Sequence, residues 1–126
     1  MNKEMRNTYT IETNGQIGEV QIADEVVAVI AGIAAMEVDG VSSMAGNATK
    51  ELVAKLGKKT LSKGVKVDVL EGTVTVDISL NLQYGKNIKK TTEKVQERVK
   101  ASVENMTGLT VADINVHVAG VDMPEE

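Results

Sequence analysis

The sequence predicts an α+β domain, a two-layer sandwich in which a mixed β-sheet carries its helices on one face. Three observations predict it. Residues 65–82 alternate apolar and polar side chains around a two-residue Glu71-Gly72 turn, which makes a hairpin with one dry and one wet face. Residues 87–107 repeat apolar side chains at helical spacing between Asn87, a capping residue, and Gly108, a helix stop. Residues 109–121 alternate again, so a long helix separates two strands. That connection is long enough for a parallel crossover, which would be right-handed.

Taken in order, residues 1–14 lack periodicity and read as a flexible N-terminal arm. Residues 15–121 read as a single domain and residues 122–126 as an acidic tail. Asn14-Gly15 is a turn signal. Gly18 to Ile22 alternates as a short strand, with Val20 and Ile22 on one side. Asp24 is placed to cap a helix that begins at Glu25 and runs to Met36.

No polar side chain lies between Glu25 and Glu37. Val26, Val29, Ile30 and Ile33 form one apolar face. Ala28, Ala31, Gly32 and Ala35 form a smooth face of small residues. A helix apolar all round is buried all round, whereas a two-layer domain normally covers one face. The small face therefore predicts either self-association through Ala28, Ala31, Gly32 and Ala35 or cover from a short second helix.

Asp39-Gly40 is a turn, Val38 to Met44 contains a short strand, and Thr49 to Leu56 is a weak helix ended by Gly57. Lys58 to Gly64 is a basic connector. In the hairpin that follows, a two-residue loop sets Leu70 opposite Thr73, Asp68 opposite Thr75 and Lys66 opposite Asp77. Lys66 and Asp77 are thereby predicted to form a cross-strand charge pair. Tyr84-Gly85 ends the second strand. The long helix has a core stripe of Ile88, Thr92, Val95, Val99, Val103 and Met106. In the last strand Ile114, Val116 and Val118 face the core, and Asp113, Asn115 and His117 face out.

Composition narrows the function. The chain has 126 residues, 42% hydrophobic and 25% charged, which describes one folded domain with an ordinary core. Cysteine is absent, so disulfides, thiol catalysis and cysteine-bound zinc are excluded. His117 is the single histidine, which excludes a multi-histidine metal site. The aromatic residues are Tyr9 and Tyr84 alone, too few for base-stacking platforms. The longest apolar run, Val26 to Met36, has eleven residues, against about 20 for a membrane span. With no signal-like N-terminus the chain is expected to be cytoplasmic and not to span a membrane itself.

The net charge of −4 is unevenly placed: residues 48–66 carry six basic groups and one acid, and residues 86–107 six basic groups and three acids. An acidic domain is a poor general nucleic-acid binder. Lys86, Lys90, Lys94 and Arg98 nevertheless recur every fourth residue along the long helix. They form a candidate surface for an acidic partner or anionic head groups, joined by Lys50, Lys55, Lys58, Lys59 and Lys63 if the fold brings them close. A mixed solvated helix face is the simpler account of the same stripe.

No catalytic, cofactor-binding or metal-ligating residue is assigned. His117 on a wet sheet face has no identifiable partner to make it a general base. Asp68, Glu71 and Asp77 lack the convergence that paired-carboxylate chemistry needs. Gly15-Gln16-Ile17-Gly18 matches a GxxG loop, but it precedes a strand and carries no basic residue.

The ordered set Leu80-Asn81-Leu82-Gln83-Tyr84-Gly85, Val95-Gln96 with Val99, Met106-Thr107-Gly108-Leu109 and Ile114-Asn115-Val116-His117-Val118-Ala119-Gly120-Val121 resembles the alkaline-shock and general-stress family of Gram-positive envelope stress response proteins. Gly18-Glu19-Val20-Gln21-Ile22-Ala23 and Gly40-Val41-Ser42-Ser43-Met44-Ala45-Gly46 fit it too, so the resemblance spans about residues 15–121. Gln83 departs from the acidic residue common at that place, which leaves the branch open between envelope and lipid-synthesis roles. The resemblance implies a non-enzymatic cytoplasmic scaffold or adaptor at the inner face of the envelope. It would self-associate, and a small integral-membrane partner could anchor it. A stress or regulatory protein binding nucleic acid through the basic segments is the alternative, and a small hydrolase or metal enzyme built on the wet sheet face comes third.

Overall fold

The computed structural model describes residues 8–11, 20–45, 57, 62–70 and 73–123. The elements are β1 (Thr8–Ile11), β2 (Val20–Ala23), α1 (Asp24–Met36), β3 (Val41–Met44), β4 (Val65–Leu70), β5 (Thr73–Gln83), α2 (Ile88–Thr107) and β6 (Thr110–Asp122). The expected helix at Thr49–Leu56, the Glu71-Gly72 turn and the 124–126 end of the tail lie outside the described residues.

β5 organises the sheet because its inward side chains, Val74, Val76, Ile78, Leu80 and Leu82, are all buried while its alternate residues stay half-open. On one side it pairs with β6, parallel and along its whole length, from Thr73↔Thr110 to Gln83↔Asp122. On the other side β4 and β3 share it, both antiparallel. β4 takes Thr73 to Ile78, and β3 takes Leu80 to Leu82. The hairpin register is the expected one: Leu70↔Thr73, Asp68↔Thr75 and Lys66↔Asp77.

A helix of twenty residues is about 30 Å long, enough to return the chain to the start of β5, so β6 begins opposite Thr73. β6 contains two irregularities, at Ala112 and Ala119, where one residue is skipped in the pairing. The first lets Val111 and Ile114, three apart in sequence, both face the core. As expected, Ile114, Val116 and Val118 lie on the core side, opposite Val76, Ile78 and Leu80.

α1 and α2 cover the dry face, and one apolar cluster unites them with the sheet. The core of α2 is stricter than the predicted stripe: Thr91, Val95, Val99, Val103 and Thr107, each four residues from the last, are buried. Ile88 is 52% and Met106 70% exposed, and Thr92 is half-buried. A row at that spacing runs obliquely to the helix axis. The two threonines seal its ends, with the Thr107 hydroxyl donating to the Val103 carbonyl and accepting from the Leu109 N–H.

Three further details differ from the sequence reading. The strand predicted at 18–22 pairs with β1 in a separate two-stranded sheet and takes no part in the main one. β1 itself lies within the segment read as an arm. α1 begins at Asp24, so Ala23 is the N-cap and no side chain caps it.

Candidate functional site

Ala28, Ala31, Gly32 and Ala35, put forward for self-association, are buried within the single chain; Ala31 and Ala35 expose nothing. α1 packs on α2 and on β3, β4 and β5, so its small face and most of its apolar circumference are covered within the chain. The small face is a helix-packing surface, which corrects its assignment as a subunit interface. Val26 remains half-exposed on α1.

The basic stripe of α2 is on the surface as expected, but the chain's own acids engage half of it. Lys86 Nζ lies 3.3 Å from Asp39 Oδ2, and Arg98 Nη1 lies 3.6 Å from Glu37 Oε1. Both acids come from the turn that follows α1. Exposed pairs of this kind contribute about 0–1 kcal/mol, and their larger effect here is to cancel positive field. Lys94 lines a shallow groove with Glu37, Asp39, Glu97 and Arg98, so that stretch is mixed in sign. Lys50, Lys55, Lys58 and Lys59 lie outside the described residues. Lys63 does not join the stripe, because it lies by the wet side of the sheet with Asp77 and Ser79.

That wet face holds the densest set of polar groups. Its central row is Thr73, Thr75, Asp77, Ser79 and Asn81 on β5, flanked by Lys66 and Asp68 on β4 and by Asn115 and His117 on β6. The predicted Lys66–Asp77 ion pair is not formed, although the two residues are in register. The Asn115 side-chain amide donates to Asp77 Oδ1 instead, at 2.8 Å. Asp68 faces Thr75, and Glu71 lies outside the described residues, as does the Gly15–Gly18 loop. Among the described residues no three histidine, aspartate or glutamate side chains gather as metal ligands would.

Where β3 ends and β4 begins, both reach the same point of β5. The Ala45 N–H donates to the Ser79 carbonyl at 2.9 Å, and Gly64 closes on that carbonyl from the other strand. The result is a notch of about 520 Å³ with Ser79 at its floor and Lys63, Lys66, Asp77 and His117 around it. His117 stands opposite Ser79 across the parallel pair. Side-chain parity placed His117 and Asn115 on this face, but the register of β6 and the meeting of β3 with β4 leave no periodic signal.

The outer edge of β6 is closed over part of its length. Glu104 Oε2 accepts from the Val111 N–H at 2.9 Å, and Gln96 Nε2 donates to the Ile114 carbonyl at 3.0 Å, so α2 caps the first part of the edge. Beyond Ile114 no such cap is present among the described residues. At the far end the Ser42 hydroxyl donates to Asp122, and the Tyr84 N–H donates to the Asp122 carbonyl. Tyr84, Val121 and Met123 are exposed there, the last two at 44% and 67%. No helix among the described residues is long and apolar enough to cross a membrane.

Comparison with known proteins accords with the resemblance in the sequence. A Bacillus subtilis protein known as YqhY is 44% identical over 105 residues, covering 83% of this chain and 78% of its own. The Bacillus subtilis protein YloU is 34% identical over 114 residues, covering 89% of this chain and 95% of its own. A Streptococcus pyogenes stress response regulator gls24 homologue is 28% identical over 123 residues, covering 97% of this chain and 69% of its own. The model of the alkaline shock protein 23 family, described by a cell envelope-related function, matches residues 12–123. With that span and those relatives, the chain belongs to this envelope-related stress family.

Proposed function

We propose that the chain is a non-enzymatic adaptor at the inner face of the cell envelope, working through self-association and docking of a partner. The observation that carries this reading is the half-open edge of β6. A long edge strand is a template for a further strand unless it is covered. Here α2 covers the edge only as far as Ile114, and the stretch beyond it ends in exposed Val121 and Met123. A second copy, its own β6 running antiparallel, would extend the sheet and bury those side chains by two-fold pairing. The membership of an envelope-related family supports the place of action. A membrane-embedded partner would then supply the attachment.

The relatives named as stress response regulators suggest the competing reading, a regulator that binds nucleic acid. The pairing of Lys86 and Arg98 with Asp39 and Glu37 weighs against it.

Two measurements test the proposal. In a density-gradient flotation of native lysate the protein should rise with membranes; recovery with the unattached proteins would overturn the envelope placement. In sedimentation velocity the chain should run as more than one copy, and Val121→Lys as one. A single-copy mass for the unaltered chain would overturn self-association, and an unchanged assembly in Val121→Lys would remove β6 as its interface.

A further inference from the structure

From the notch on the open sheet face we infer an anion site, whose ligand is a phosphate monoester carried either by a small soluble molecule or by a lipid head group. The inference goes beyond the adaptor reading and does not depend on it.

Among the described residues Asp77 is the one carboxylate lining the notch, and the Asn115 amide engages its Oδ1. Among the described residues the ammonium groups of Lys63 and Lys66, the imidazole of His117 and the hydroxyl of Ser79 have no hydrogen-bond or ion-pair partner, yet all four line the same concavity. This contrasts with the basic stripe, where Lys86 before α2 and Arg98 on it are paired. Lysine donates only, and the serine hydroxyl and imidazole N–H add further donors. Among the described lining residues two ammonium groups, an imidazole and a hydroxyl outnumber the single carboxylate, which the Asn115 amide holds at Oδ1; such a donor-rich concavity suits an acceptor-rich anion, and a phosphate monoester offers three such oxygens.

The backbone keeps the site in shape. Lys63 belongs to the short turn Ser62–Gly64, and Lys66 follows on β4. Gly64 admits that turn against the Ser79 carbonyl, where a side chain would not fit. Three separate stretches thus deliver the donors to one place, the turn into β4 with β4 itself, the middle of β5, and β6, while the end of β3 closes the rim at Ala45. Its volume of about 520 Å³ exceeds what a bare phosphate fills and lies in the range of small-molecule sites.

The test titrates the ¹⁵N-labelled full chain with glycerol 3-phosphate at constant ionic strength, against chloride as the control. The expected result is saturable movement of amide signals from residues 63–66, 79 and 117. Affinity should fall at least about tenfold in the double variant Lys63→Gln/Lys66→Gln, since two charge-assisted contacts are lost, and stay unchanged in Lys90→Gln on α2. A second arm uses vesicles of phosphatidylcholine with and without phosphatidic acid. Capture by the phosphatidic acid vesicles that the double variant loses assigns a lipid source, and binding of the soluble ester alone assigns a soluble one. Absence of saturation in both arms overturns the inference. So does an equal loss in Lys90→Gln, which would mean only general charge attraction. Thermal melts of the variants, matched to the unaltered chain, exclude unfolding as the cause.

Discussion

A Cβ placed on Gly64 would stand 2.8 Å from the carbonyl oxygen of Ser79, closer than side-chain carbons approach the backbone. The same carbonyl already accepts from the Ala45 N–H, so neither partner can retreat without breaking the join of β3 and β4 on β5. Gly64→Ala should therefore destabilise the fold by about 1–3 kcal/mol, the usual range for overpacking. Urea denaturation would read this as a lower midpoint at unchanged slope. A neutral result would mean that the join is soft.

Ala31 exposes no surface between α1 and its neighbours, and leucine there adds three carbons to a filled space. Ala31→Leu should cost about 1–3 kcal/mol or more. The loss should be the same at protein concentrations tenfold apart, because the packing is within one chain. A loss seen only at low concentration would instead return this face to a subunit interface.

The two ends of α2 are held by different devices, and both can be removed singly. The Asn87 side chain accepts from the Lys90 N–H at 2.9 Å, so Asn87→Ala should cost about 1 kcal/mol. Gly108 ends the helix at φ +77°, and Gly108→Ala should cost about 1–2 kcal/mol for placing a side chain in the left-handed region. Glu25→Gln, on the exposed first turn of α1, should change stability by less, about 0.5 kcal/mol, through the helix dipole. Thermal melts of the three variants rank the effects; equal losses would contradict the capping assignments.

What could be read from the sequence was whatever a local rule determines. The register Lys66↔Asp77 follows from a two-residue turn, and the caps Asn87 and Gly108 follow from residue type at a helix end. The facing of Val116 and Val118 follows from strand parity. What could not be read depends on distant segments meeting. Nothing in the periodicity of α1 distinguishes a small face filled by the same chain from one filled by another. The stripe Lys86, Lys90, Lys94 and Arg98 is visible, but the acids that answer it lie far earlier in the chain, at Glu37 and Asp39. Asp77 met Asn115 in place of Lys66 because β6 lies parallel beside β5 in a register that side-chain alternation does not encode. The spacing of Val111 and Ile114 was the one available sign of an irregular β6, since two inward residues three apart cannot share a face of an unbroken strand.

Glu104 acts on both the stability of the fold and the exposure of β6. Its carboxylate accepts from the Val111 N–H, and Val111 is buried opposite Val74. Glu104→Ala leaves that N–H without an acceptor, which should cost about 1–3 kcal/mol, and it uncovers the first part of the strand edge to other chains. Melting temperature should fall and light scattering on heating should rise. Glu104→Gln keeps a carbonyl oxygen at the same reach and should restore most of both properties. If the glutamine variant were as unstable as the alanine one, charge and not the hydrogen bond would be what Glu104 supplies; if both behaved as the unaltered chain, α2 would not be the guard of this edge.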